Sequence, residues 1–99
     1  MSDYVSRVIR KKIRVHGAVQ GVGFRYRTKH AANALGVTGW VRNNPDGTVS
    51  LEMQGSESQI DQVLAAVQRG TWVRIEKMEA ASLPVEEHEH DFTVREGRE

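Results

Sequence analysis

Residues 9–25 read IRKKIRVHGAVQGVGFR, and the pattern changes period partway through. Ile9, Lys11, Ile13 and Val15 alternate with Arg10, Lys12, Arg14 and His16. That period of two predicts a strand with one mostly apolar face. From Gly17 to Gly23 no period holds, and glycine occupies positions 17, 21 and 23. Helical spacing starts near Phe24. Thr28, Ala31, Ala32 and Leu35 fall at i, i+3, i+4 and i+7, one stripe of a helix that Gly36 stops.

The rest of the chain extends this strand–loop–helix start. Val37, Gly39 and Val41 alternate with Thr38, Trp40 and Arg42, a second strand. Asn44-Pro45-Asp46-Gly47 is a turn, because Pro45 presets φ and Gly47 accepts the positive φ of a bulged hairpin. Val49, Leu51 and Met53 form a third strand, ended by Gly55. Ser56 with Gln59 resembles a capping box, and Ile60, Val63, Leu64 and Val67 make a second helical stripe up to Gly70. Trp72 to Ala80 reads as a strand, Ser82 to Asp91 as a polar loop, and Phe92 and Val94 as a short last strand. With right-handed crossovers, the order β-α-β-β-α-β plus a terminal strand predicts an α+β, ferredoxin-like sandwich. Two helices then cover one face of an antiparallel sheet.

Composition narrows the function. Ninety-nine residues make one domain, 1–99, with 1–7 and 96–99 expected to be flexible ends. There is no cysteine, which excludes a disulfide framework, a Cys-ligated metal and a cysteine nucleophile. No apolar run is long enough to cross a bilayer, and Met1 to Arg7 has no h-region. A cytoplasmic protein with no membrane partner is expected. Fourteen Lys and Arg against 13 Asp and Glu leave +1, less than the basic excess usual in nucleic-acid binders. The basic run from Arg7 to Arg14 and the acidic run from Glu86 to Asp91 read as solvated faces.

The topology makes a prediction about chemistry. The first two strands run in the same direction with the third between them, so their C-terminal ends lie about 10 Å apart at two strand spacings. The glycine loop and the end of the second strand are therefore neighbours. Asn43 shares a face with Val41 and Val37, the face the helices cover. An amide aimed there costs ~1–3 kcal/mol unless something bonds it. Either it satisfies loop carbonyls, or it faces a ligand held by the loop. Converging loop N–H groups and a helix N-terminus form an anion cradle. Arg25, the wrong charge for a helix start, fits there if it clamps an anion. The glycine spacing is neither the dinucleotide fingerprint nor the P-loop, so on its own it leaves a plain tight turn open.

Val-Gln-Gly-Val-Gly-Phe-Arg at 19–25, Gly-Trp-Val-Arg-Asn at 39–43 and Asp46-Gly47-Thr48-Val49 together resemble the acylphosphatase family, with the likeness spanning roughly residues 8–95. The resemblance implies that Arg25 is the catalytic, phosphate-binding arginine. It implies that Asn43 orients the attacking water, and that the backbone of Gln20, Gly21, Val22, Gly23, Phe24 and Arg25 is the phosphate loop. The implied reaction is hydrolysis of acyl phosphates, small-molecule substrates, to carboxylate and inorganic phosphate. It needs no metal, no cofactor and no covalent intermediate, and a monomer is expected. Gly23 stands where some members carry Cys, and the segment from Gly70 to Phe92 is shorter than in many members.

The chemistry suits so small a site. A carboxylate whose conjugate acid has a pKa of ~4–5 leaves without protonation, so no general acid is demanded. Phosphoryl transfer then needs position and charge stabilisation. His88-Glu89-His90-Asp91 offers no closed metal-ligand set and reads as a solvated loop. His16 reads as a strand end, His30 as a helix surface residue, Trp40 and Trp72 as packing, and Tyr26 as either a pocket wall or a helix contact. The alternative is a non-catalytic anion- or RNA-binding ferredoxin-like module. RNA recognition on such a sheet uses exposed strand aromatics, and Ile9 to Val15 carries none. An accessory domain of a larger carbamoyl-transfer protein is a further rival. The chain runs to Glu99 without a linker, so a free-standing enzyme is expected.

Overall fold

The computed structural model describes residues 7–21, 23–70 and 73–96. Seven elements follow in order: β1 (Val8–Ala18), α1 (Phe24–Ala34), β2 (Thr38–Asn43), β3 (Val49–Ser56), α2 (Glu57–Gln68), β4 (Arg74–Leu83) and β5 (Phe92–Arg95). The sheet order is β4-β1-β3-β2-β5. β1 pairs antiparallel with both β3 and β4, and β3 pairs antiparallel with β2. This is the ferredoxin-like arrangement expected from the element order. β5 is added in parallel to β2, so the five-stranded sheet is mixed. The amide of Asn33, in the last turn of α1, fixes β5 there, accepting from the N–H of Phe92 at 2.9 Å and donating to its carbonyl at 3.3 Å.

Register explains how the alternating pattern becomes a core. Ile13 lies opposite Leu51, which lies opposite Val41, which lies beside Val94. Paired residues share a face, so these form one row across the sheet. The next row runs Met78, Val15, Val49, Asn43. Phe24 and Ala32 of α1 and Ile60, Val63 and Val67 of α2 close over these rows, all buried. Each large side chain so enclosed contributes about 1.5–3 kcal/mol of apolar burial. The capping box of α2 is present: Gln59 N–H donates to Ser56 Oγ at 3.1 Å, and Ser56 N–H donates to Gln59 Oε1 at 2.8 Å. The same Gln59 side chain donates to Leu35 O at 2.9 Å and thereby ties α2 to the end of α1.

Three expectations are corrected. The region from Ser82 is not all loop, because β4 continues through Leu83 opposite Arg10. The basic run of β1 is not wholly solvated, because the Arg10 side chain is only 2% exposed. Its guanidinium donates to Glu89 Oε1 at 2.7 Å and Oε2 at 3.1 Å, to Glu52 Oε1 at 2.9 Å and to Gln54 Oε1 at 3.1 Å. Glu89 is therefore not a solvated loop residue either. Gln54 adds a reciprocal pair with the backbone of Glu86, so the 84–91 segment is strapped across the face of the sheet opposite the helices. The paired charge and the backbone bonds supply what this strap lacks in apolar contact. Val22, Trp72 and the terminal stretches 1–6 and 97–99 lie outside the described residues.

Candidate active site

β1 ends at Ala18, and the chain must turn within a few residues to start α1 beside β2. Gly21 (φ +75°) and Gly23 (φ +78°) adopt left-handed backbone, where an L side chain is strained, and Gly23 is the N-cap of α1. A glycine cap offers no side-chain acceptor, and the first turn of α1 holds no acidic residue. The first intrahelical bond runs from Arg27 N–H to Gly23 O at 3.0 Å. The N–H groups of Phe24, Arg25 and Tyr26 thus have no carbonyl within the helix. They open a helix that carries Arg25, Arg27 and Lys29 and no carboxylate. Its N-terminal end favours an anion.

Gly21, Gly23, Phe24, Arg25 and Asn43 line one pocket of about 120 Å³ with Val19 and Tyr26. Five of the site residues named from sequence are therefore brought together. Val22 lies outside the described residues. Gln20 belongs to the same loop but does not line the pocket. Its side chain turns to the β2–β3 turn, where Nε2 donates to Asn44 O at 2.8 Å and Thr48 O at 2.9 Å. The Gln20 amide thus satisfies two backbone carbonyls of that turn. Asn43 is different. Its Oδ1 is buried and accepts no hydrogen bond among the described residues, at the end of β2 and facing the pocket with Arg25.

Sequence reasoning missed how the turn behind Asn43 is held. Asn44 N–H donates to Thr48 O at 2.8 Å, and Gly47 N–H donates to Asn44 O at 3.1 Å. The Asn44 amide donates to Thr48 Oγ1 and Ser50 Oγ. Asp46 accepts from the Thr48 hydroxyl and N–H through Oδ1, and from Arg14 through Oδ2 at 2.6 Å. The Thr48 hydroxyl, its N–H and then Arg14 draw the Asp46 carboxyl down to about 2. The signal was available in Asp46 and Thr48, an acceptor two residues before its donor in a turn.

The remaining polar groups lie elsewhere. His16 is on the opposite face of the sheet from Asn43 and pairs with Glu79 at 2.8 Å. Glu79, with that hydrogen bond first among its causes, lies below its ordinary value. His30 is exposed on α1 and does not line the pocket. Trp40 is buried on the outer face between the guanidinium groups of Arg42 and Arg95, at 5.3 and 4.5 Å from its ring. Among the described residues no three His, Asp or Glu side chains converge as a metal-ligand set. No helix among them is long and apolar enough to cross a membrane.

The family model described as Acylphosphatase matches residues 11–94. An acylphosphatase of Geobacillus kaustophilus is 42% identical over 84 residues, covering 84% of this chain and 89% of its own. One of Pediococcus pentosaceus is 46% identical over 81 residues, covering 80% and 89% respectively. The crystal structure of acylphosphatase from Bacillus subtilis superposes with a TM-score of 0.80 at 31% identity, covering 88% of this chain and 98% of that one.

Proposed function

The chain belongs to the acylphosphatase family and hydrolyses the carboxyl–phosphate bond of acyl phosphates; from that premise we propose how its own residues carry the reaction. The phosphoryl group is held by the backbone N–H groups of residues 20–25 and by Arg25. Asn43 Oδ1 accepts a hydrogen bond from the attacking water and holds it in line with the bond to be broken. The water oxygen bonds to phosphorus while the phosphorus–acyl oxygen bond breaks. The electron pair leaves with the carboxylate, and the water's proton passes to a phosphate oxygen.

The single observation that supports this assignment is the orphan acceptor. Asn43 Oδ1 is buried, bonds no donor among the described residues, and faces the pocket lined by Arg25 and the N-terminus of α1. A buried carbonyl oxygen without a partner costs ~1–3 kcal/mol, a cost that makes sense where a water or substrate donor is bound in turnover. Arg25 has no carboxylate partner among the described residues, so its charge is available to an anion. Electrostatic stabilisation at the equatorial oxygens and positioning of water suffice for a leaving group this acidic. A phosphomonoester, whose alkoxide leaves poorly, makes a demand this site does not meet.

We further read the protein as a monomeric, cytoplasmic, single-domain enzyme, working without metal or cofactor. The absence of cysteine fits a reducing compartment. The experiment that tests the site is a paired assay of benzoyl phosphate and p-nitrophenyl phosphate in EDTA. Turnover of the first alone is expected. Loss of activity on chelation, restored by a divalent ion, refutes the metal-free reading, and equal turnover of both refutes the leaving-group reasoning. Sedimentation of the same preparation tests the monomer.

A further inference from the structure

Tyr26 is 53% exposed, although it directly follows the half-buried Arg25 and comes two residues after the fully enclosed Phe24. Phe24 makes the core contact of this turn, so packing does not require a second ring here. Tyr26 nevertheless lines the pocket with Arg25 and Asn43, and the Arg25 Cζ lies 5.7 Å from its ring centroid. Among the described residues it is the exposed aromatic at the mouth, the other large exposed apolar side chains being Val8 and Val85. Among the described residues the rest of the lining is glycine backbone, the buried side chains of Val19 and Phe24, Arg25 and the Asn43 amide.

In-line displacement fixes where the acyl group goes. With the water on the Asn43 side of the phosphorus, as proposed above, in-line geometry sends the leaving carboxylate away from Asn43. Arg25 and the α1 N-terminus supply the donors, while Tyr26 is the exposed side chain among the described lining residues, its ring amphipathic and limited to two side-chain torsions. We propose that Tyr26 is a specificity-determining residue, a platform on which the acyl group rests, so that the enzyme favours aromatic over short aliphatic acyl phosphates. The proposal rests on the assignment of Arg25 and Asn43 above. Aromatic contact at such a platform adds about 1 kcal/mol, which is about fivefold in selectivity.

The test compares kcat/KM for benzoyl phosphate and acetyl phosphate in wild type, Tyr26→Ala and Tyr26→Phe, with the inhibition constant of inorganic phosphate measured on each. The position is an exposed helix site where alanine is a good helix former, so the variants fold. Tyr26→Ala is expected to reduce the benzoyl-to-acetyl ratio about fivefold while phosphate inhibition stays within twofold. Tyr26→Phe should keep the wild-type ratio. An unchanged ratio in Tyr26→Ala overturns the platform. An equal loss on both substrates with weakened phosphate inhibition also overturns it, because the ring then serves to hold Arg25. Failure of wild type on both substrates overturns the reading of the site itself, a result separable from the other two.

Discussion

Asn43→Ala separates turnover from stability in a way the structure makes quantitative. No donor among the described residues reaches Oδ1, so the substitution takes no hydrogen bond from any of them. It removes a buried orphan oxygen that costs ~1–3 kcal/mol, offset by lost packing of the short side chain. Net stability is therefore expected to hold or to rise by about 1 kcal/mol. For a domain this size that is a gain in Tm of about 4–8 °C at most. The reaction fares differently. A misplaced water forfeits an interaction needed mainly in the transition state, so kcat for benzoyl phosphate should fall about 100-fold or more. Inhibition by inorganic phosphate should change less than about twofold, since Arg25 and the loop remain. Calorimetric melting, kcat and the phosphate inhibition constant on one preparation decide the matter. A stable variant with near-normal kcat refutes the water-positioning role. A fall in Tm together with weaker phosphate binding shows instead that Asn43 supports the loop.

Arg25→Ala should damage both states alike. Loss of one charge-assisted hydrogen bond at ~1.5–3 kcal/mol weakens phosphate inhibition about 10- to 100-fold, readable by titration calorimetry. Arg10→Ala leaves the half-buried carboxylates of Glu52 and Glu89 without the guanidinium they share. About 3 kcal/mol of stability, or more than about 10 °C in Tm, should be lost, with kcat of the remaining folded enzyme unchanged. Pairing Arg10→Met with Glu89→Gln should recover much of that loss. Asp46 binds fewer protons folded than unfolded between its ordinary value of 3.8 and about 2. Its stabilisation is complete above that window and is lost as pH falls through it. The difference in Tm between wild type and Asp46→Asn should therefore shrink as pH falls from 4 to 2, and a difference that stays constant across that range refutes the assignment.

How far the sequence carried the reading depended on how local each signal was. The capping box at Ser56 and Gln59, the start of α1 near Phe24 and the turn at Gly47 are encoded within a few residues, and each was legible. Asn43 was legible by parity, since a strand residue two beyond Val41 must share its face. Arg10 was not. Alternation put it correctly on the outer face, but its burial is caused by Glu89, 79 residues away, and no periodicity in β1 reports on that. The role of Gln20 was hidden for a related reason. A glutamine in a loop has two donors and two acceptors, and sequence does not say which carbonyls the fold brings within reach. The parallel pairing of β5 was equally invisible, because the Asn33 amide that fixes it lies on a helix separated from it by three strands and another helix.

The strand order also governs the way the chain first assembles. β1, the first strand in chain order, finds its two partners only in β3 and β4, far along the chain. Loops of that length must close before either ladder of β1 forms, which slows folding relative to a topology built from local contacts. Until they close, β1 presents two bare edges, a template for pairing with the same strand of another molecule. Arg10, Lys11, Lys12 and Arg14 place four like charges along it. An unpaired β1 therefore repels its own copies until Glu52, Asp46 and Glu89 arrive to neutralise it from within the chain.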